Sequence, residues 1–327
     1  MLALVTGGYG FVGRHLAHHL VSCGDDVVLT YVEDKKEKVL SEKLDLELGE
    51  IAPPKTVQNI ALDVANKDLV NDVISLIKPD VIYHLAAISF VPDAEKNPNL
   101  TYNVNTLGTL NILDAVKAHL PDTRVLFVGS SQSYGAPRPG ALPISEQSEL
   151  RPSNEYALTK TYADLACYTA AERDTLKVVR ARPFQHSGPG QNPMFALSSF
   201  SKQIAEIKLG KKEPIVRVGN LDVKRDYSDV SDIVRGYREA ALNGKIGEAY
   251  NFCFGQSVSM EDMLKLLIQR AGMDIEIIVD PERVRPVDVP DVYGTYAKAQ
   301  KDLGWKPRIP HEGMLDSLLT HWMEVLS

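Results

Sequence analysis

At 327 residues, with 44% hydrophobic and 24% charged side chains, the chain is long enough to bury one large core or two smaller ones without disulfide or metal staples. A formal charge of −7, from 43 acidic residues against 36 Lys and Arg, argues against nucleic acid as a partner. Cys23, Cys167 and Cys253 form no CxxC pair, and no apolar run reaches bilayer-spanning length, so no zinc site, disulfide or membrane span is expected. The opening Leu2-Ala3-Leu4-Val5 meets glycine by Gly7, too short for a signal-peptide core, and a cytoplasmic location is expected.

The first half alternates short β-branched runs with amphipathic stretches, which predicts a parallel sheet covered by helices on both faces. Strands are predicted at Ala3 to Thr6, Val27 to Val32, Thr56 to Leu62, Val81 to Leu85, Arg124 to Gly129 and Lys177 to Arg182. Helices are predicted at Phe11 to Ser22, Lys67 to Ile77, Leu100 to Leu120 and Asn154 to Arg173. The charged stretch Glu33 to Pro54 is expected to be a solvated helix and turn. After Arg182, Pro183, Gly188, Pro189, Gly190 and Pro193 mark irregular chain and the start of a smaller lobe. Runs at Asp229 to Leu242 and Glu248 to Phe254 suggest a helix and strand returning to the first sheet. The expected organisation is a Rossmann-like, doubly wound α/β domain over 1–183, rejoined by 229–256, with a discontinuous C-terminal lobe over 184–228 and 257–327.

Thr6-Gly7-Gly8-Tyr9-Gly10-Phe11-Val12-Gly13 falls between a predicted strand and a predicted helix and satisfies both GxGxxG and GxxGxxG. Glycines there permit a tight turn and let backbone approach a pyrophosphate, while the helix start offers free N–H groups and the positive end of its dipole. The second strand ends Thr30-Tyr31-Val32, with Glu33 and Asp34 just beyond and the cations Arg14, Lys35 and Lys36 nearby, so NADP(H) and NAD(H) both remain open. His15, His18 and His19 lie at helical spacing without a carboxylate or cysteine pattern, and no metal is expected.

Tyr156 and Lys160 stand four residues apart, one turn along a predicted helix. An ammonium beside a phenol favours the phenolate and brings an ordinary pKa near 10 toward neutral pH, giving a usable acid or base. Upstream, Phe127-Val128-Gly129-Ser130-Ser131-Gln132-Ser133-Tyr134-Gly135 ends a predicted strand in hydroxyl groups, at the sheet edge where open α/β folds bind ligands. Ser130 there could polarise a substrate carbonyl.

Together these motifs resemble the extended short-chain dehydrogenase/reductases, or NAD-dependent epimerase/dehydratases, over nearly the whole chain. The resemblance implies a dinucleotide site built from Gly7, Gly10, Phe11, Val12, Asp63, Val64, Leu85, Ala86, Ala87 and Asn105, with Asp63-Val64, His84 to Ala87 and Asn105 to Gly108 as matching segments. It implies Ser130, Tyr156 and Lys160 as the catalytic trio, Lys160 also holding the nicotinamide ribose. Dehydratases of the family place an acidic base where this chain has Gln132; an amide cannot abstract a proton, so reduction or epimerisation is expected instead.

The segments Gln185 to Gln191, Lys212 to Leu221, Arg225 to Val230, Arg285 to Pro290 and Gly304 to Pro307 are similar to the nucleotide-binding lobe of the family's GDP-sugar reductases. Arg225 and Arg285 are implied as the nucleotide clamp, with Ser131, Gln132 and Gln185 also toward the substrate. Gln185 replaces the usual Asn and Asp288 the usual Glu, and the strand-end Arg expected for NADP is missing. The implied reaction is NAD(P)H-dependent reduction of the C4 ketone of GDP-4-keto-6-deoxy-D-mannose to GDP-D-rhamnose. A nucleotide-sugar 4-epimerase with tightly held NAD is the second reading and a non-catalytic dinucleotide sensor the third. Family likeness also implies a homodimer through the helices near Leu100 to Leu120 and Asn154 to Arg173, whose Ala-rich faces would permit close approach.

Overall fold

A computed structural model of the chain describes residues 1–32, 51–284 and 289–327. Seven parallel strands form the central sheet: β1 (Leu2–Thr6), β2 (Asp26–Tyr31), β3 (Gln58–Ala61), β4 (Val81–His84), β5 (Arg124–Val128), β6 (Val178–Pro183) and β7 (Ala249–Phe252). Their spatial order is 3-2-1-4-5-6-7, so the direction of winding reverses between β1 and β4. The chain is thus an α/β protein with a doubly wound parallel sheet. β7 joins the sheet beside β6, Ala249 opposite Arg180 and Phe252 opposite Pro183.

Alternation along each strand feeds two cores. Ala3, Val5, Val27, Leu29, Val81 and Tyr83 point to one face, Leu4, Val28 and Ile82 to the other. The helices are α1 (Phe11–Ser22), α2 (Lys67–Ile77), α3 (Gly108–His119), α4 (Glu155–Asp174), α5 (Ala196–Lys208), α6 (Val230–Asn243), α7 (Met260–Ala271) and α8 (His311–Leu326). α1 and α6 cover the first face; α2, α3 and α4 cover the second. Capping side chains set several starts: Asn66 accepts from Leu69 N, Asn154 from Ala157 N and Asp229 from Ser231 N.

A third core, centred on Phe200, Met263, Leu264, Leu318 and the fully buried Trp322, joins α5, α7 and α8 to strands Ile215–Val218 and Glu276–Val279. Ala299 and Trp305 pack instead into the sheet core, with Trp305 Nε1 donating to Asp232 O, although the sequence assigns 257–327 to the lobe.

The helix predicted over Leu100 to Leu120 is interrupted: an α-turn at Pro98–Tyr102 passes through one π-helical turn, Asn103–Leu107, into α3. On α4 the small residues Ala163, Cys167, Ala170 and Ala171 face the sheet. Its outer face carries Leu158, Tyr162, Leu165 and Tyr168, so the Ala-rich face expected at a subunit contact is the inward one. Glu33, Asp34, Lys35, Lys36, Arg285 and Asp288 lie outside the described residues. Among the described residues no helix is long and apolar enough to cross a membrane.

Candidate active site

Parallel strands bring all their carboxyl ends to one edge, and the reversal between β1 and β4 opens a crevice there. β1 runs into Gly7, which has φ of 66° and lies so close to the loop after β4 that a Cβ would sit 2.8 Å from Ala86 Cα. Gly13 is as crowded, a Cβ there meeting Gly7 O and Gly8 O at 2.6 Å. Thr30 holds the turn from β2, its Oγ1 accepting from Gly7 N at 3.2 Å and its carbonyl from Gly8 N at 3.1 Å. Helix α1 begins at Gly10 with no side-chain cap and no acidic residue in its first turn, leaving its N-terminal donors suited to an anion. These observations fit a dinucleotide pyrophosphate.

Phe11, Val12, Leu85, Ala86 and Ala87 are half-buried along the crevice. Val64 packs at Gly108, where a Cβ would lie 2.6 Å from its Cγ2, and exposed Asp63 accepts from Ala65 N at 2.9 Å. Asn105, on the π-helical turn, accepts from Ile88 N at 2.8 Å and donates to Ile88 O at 3.1 Å and Thr159 Oγ1 at 3.0 Å. It therefore ties the loop after β4 to α4. Arg14 is buried, donating to Tyr9 O and Ile51 O. His15 and His18 pair through Nε2 with Pro189 O and Ala52 O.

Sequence reasoning missed the chain of bonds beneath the turn. Thr109 Oγ1 donates to Asn105 O at 2.8 Å, so toward His84 Nε2, 3.0 Å away, it can only accept. His84 therefore carries its proton on Nε2, and Nδ1 accepts from Thr6 Oγ1 at 2.7 Å, which in turn accepts from Ala86 N at 3.2 Å. Burial lowers His84 to about 3, so this uncharged relay holds β1, β4 and α3 together. The one sequence signal was position: Thr6 immediately precedes the glycines and His84 the Leu-Ala-Ala run.

Ser130 follows β5, its Oγ accepting from Gln132 N at 3.1 Å at the start of a 3₁₀ turn, Ser131–Tyr134. Tyr156 lies in the first turn of α4, 8% exposed, with the Ser130 side chain near its phenol. Burial pushes the Tyr156 phenol above its ordinary value, and the Ser130 side chain pulls it down. Lys160, expected to set that acidity, lies with its Nζ 4.6 Å from the Phe127 ring centroid; burial lowers it to about 8 against the raising pull of Asp164. Gln132 Oε1 accepts from Asn154 Nδ2 at 3.2 Å, which fixes the orientation of the amide. Ser131 is buried beside it.

Toward the lobe, Gln185 begins a short strand, Gln185–Ser187, paired with Tyr227–Asp229, and its Oε1 is buried without a hydrogen-bond partner among the described residues. Arg225 Nη1 donates to Lys224 O at 2.8 Å and Val289 O at 2.6 Å, while Asp226 beside it accepts from Phe254 N, Gly255 N and Gly294 N. The structure brings Ser130, Gln132, Tyr156 and Lys160 to one end of the crevice and places Arg225 on the lobe.

A glycine turn at the switch point, with a serine and a tyrosine of a Tyr-x-x-x-Lys helix at the next strand ends, defines a dinucleotide-dependent short-chain oxidoreductase. The profile described as GDP-mannose 4,6 dehydratase matches residues 4–318, and the chain belongs to that family of NAD-dependent epimerase/dehydratases. GDP-6-deoxy-D-mannose reductase of Pseudomonas aeruginosa is 33% identical over 97% of this chain and 96% of its own. UDP-glucose 4-epimerase 2 of Oryza sativa is 26% identical over 93% of this chain and 78% of its own. RMD from Pseudomonas aeruginosa, solved with NADPH, superposes with a TM-score of 0.85 at 32% identity, covering 99% of both chains. The UDP-glucose 4-epimerase of Thermotoga maritima, at 24% identity, gives 0.87 over the whole of both chains, a likeness of fold. The chain is therefore an enzyme of nucleotide-sugar oxidoreductase or dehydratase type that uses a nicotinamide dinucleotide.

Proposed function

We propose that the protein reduces the C4 ketone of a nucleotide 4-keto-6-deoxy-sugar, namely GDP-4-keto-6-deoxy-D-mannose, to GDP-D-rhamnose. The observation that carries this reading is Gln132, held by Asn154 and standing at the sequence position of a dehydratase base, beside an intact Ser130–Tyr156 pair. Without a carboxylate there to remove a carbon-bound proton, the residues present support proton transfer to oxygen. The Pseudomonas reductase, 33% identical, supports the sugar and the base.

Gly7, Gly10, Phe11, Val12, Asp63, Val64, Leu85, Ala86, Ala87 and Asn105 would hold the dinucleotide, with Lys160 and Tyr156 at its nicotinamide end. When bound, it supplies the hydride. Tyr156 donates its phenolic proton to O4, and Ser130 hydrogen-bonds the same oxygen as charge develops there. Lys160 keeps a positive charge beside the site. Ser131, Gln132 and Gln185 orient the sugar, while Arg225 and Arg285 clamp the nucleotide. In this division of labour 1–183 with 229–256 carry the dinucleotide, and 184–228 with 257–327 the nucleotide sugar. NADP(H) is the proposed cofactor, because the related RMD was solved with NADPH; the carboxylates Glu33 and Asp34 that would favour NAD(H) come only after the second strand and Val32.

The test supplies NADPH or NADH and a panel of 4-keto nucleotide sugars to the purified protein, with products identified by NMR. Stoichiometric oxidation of NADPH with GDP-4-keto-6-deoxy-D-mannose is expected. No net oxidation, with NAD retained through purification, would make the protein an epimerase. Tyr156→Phe should lower kcat by roughly 10²- to 10⁴-fold; unchanged turnover in that variant would remove catalysis by this site.

We also propose that the protein is a homodimer. The outward stripe of α4, spaced as Leu158, Tyr162, Leu165 and Tyr168, continues into exposed Leu100 and Leu107 on the neighbouring helical segment.

A further inference from the structure

Asp164 lies on α4 four residues beyond Lys160, and its side chain is buried. Arg182 grips the carboxylate with two donors, Nε to Oδ2 at 2.9 Å and Nη2 to Oδ1 at 2.7 Å, and Arg180 Nη1 reaches Oδ1 at 2.6 Å. The remaining guanidinium nitrogen of Arg182, Nη1, donates to the Tyr134 hydroxyl at 3.0 Å, which donates in turn to Asn251 Oδ1 at 2.8 Å. Asp164 Oδ2 also lies near Gly129, where an added Cβ would meet it at 3.4 Å. Gly129 precedes Ser130 and Tyr134 closes the turn that Ser130 caps, so both sides of that turn meet one charge network rooted in the catalytic helix.

We propose that Asp164 is a positioning residue: through Arg182 and Tyr134 it sets the Ser130 turn against the helix that carries Tyr156 and Lys160. The inference rests on the reading of those three residues as the catalytic groups. A buried ion pair adds little net stability over apolar packing of equal volume. What the bidentate pair adds here is direction, because a planar guanidinium with three committed nitrogens admits one placement of its neighbours. Ser130 must meet the same substrate oxygen as Tyr156, and misplacing either by about 1 Å is costly to the rate.

Tyr134→Phe removes the link to the turn while keeping the ring and the Asp164–Arg182 pair. The expected result is a fall in kcat of about tenfold with KM changed less than about twofold, together with a displaced pH–rate profile. Faster amide exchange should appear in residues 130–134 and 155–164. Asp164→Asn should show the same pattern more strongly. Val73→Ala, a cavity in α2 away from the network, serves as the comparator: it should lower Tm without changing kcat or exchange in those segments. Wild-type kcat and exchange in Tyr134→Phe would overturn the proposal. A wild type that binds NADPH yet reduces none of the 4-keto sugars would overturn the functional reading instead, and the exchange comparison, which needs no substrate, would still decide whether the network ties turn to helix.

Discussion

Lys160 brings an ammonium into a buried position whose nearest acidic neighbour along the helix, Asp164, is committed to two arginines. Burial lowers Lys160 from 10.5 to about 8. Between those values the unfolded chain binds more protons than the folded one, so this residue's contribution to stability rises with pH over that window and the deficit is complete below about pH 8. At pH 7 the deficit is about 3 kcal/mol. Lys160→Met, close in length and volume, is therefore expected to raise Tm at pH 7 by about 5 °C, with the gain shrinking above about pH 8, while abolishing turnover. Calorimetry across pH 7 to 10 checks this; a variant that melts below wild type at pH 7 contradicts it. At this scale the sequence points to candidates where a motif concentrates chemistry, as at Gly7, Ser130, Tyr156 and Lys160. It was unreadable where function depends on which polar groups fold against one another. Nothing in the spacing of Thr6, His84 and Thr109 announces their hydrogen-bonded chain, and Asp164 reads as one more charge on an Ala-rich helix until Arg182 and Tyr134 are brought to it from β6 and the Ser130 turn.

Elements were legible in proportion to the regularity of their burial. α1 and α2 occupy the ranges that apolar periodicity predicts, because each presents one continuous stripe to the sheet. The Leu100 to Leu120 pattern hid its π-helical turn, since shifting one hydrogen bond barely alters which side chains are apolar; what the turn accomplishes is to place Asn105 against Ile88 and Thr159. The β1–α1 turn makes a separate prediction. Gly13 has no special backbone conformation, so Gly13→Ala acts by sterics alone, driving a methyl into Gly7 O and Gly8 O. Opening the turn to admit it should cost about 1–3 kcal/mol of stability and weaken dinucleotide binding at least tenfold. Fluorescence titration with NADPH on folded protein measures the second effect, and unchanged affinity would mean the phosphates do not rest on this turn.

At the scale of the whole molecule, one face of α4 is left exposed among the described residues. Leu158, Tyr162, Leu165 and Tyr168 are 43%, 54%, 48% and 45% exposed, on a helix whose opposite face is filled with alanine against the sheet. Tyrosine and leucine at i, i+4 and i+7 form a stripe wide enough to pair with its own copy about a two-fold axis, each helix meeting its equivalent. Because α4 also carries Tyr156 and Lys160 on its buried side, pairing there would stiffen the helix that holds the proton donor. Tyr162→Glu with Leu165→Glu places four like charges at such an interface and none in the core, so the variant should sediment as a folded monomer where the wild type sediments as a dimer. The same variant should retain NADPH binding, since the glycine turn lies at the strand ends and not on the outer face of α4. Sedimentation velocity at micromolar concentration decides between the two states, and a wild type that is monomeric under those conditions would leave the stripe to some other partner and remove the dimer from the proposal.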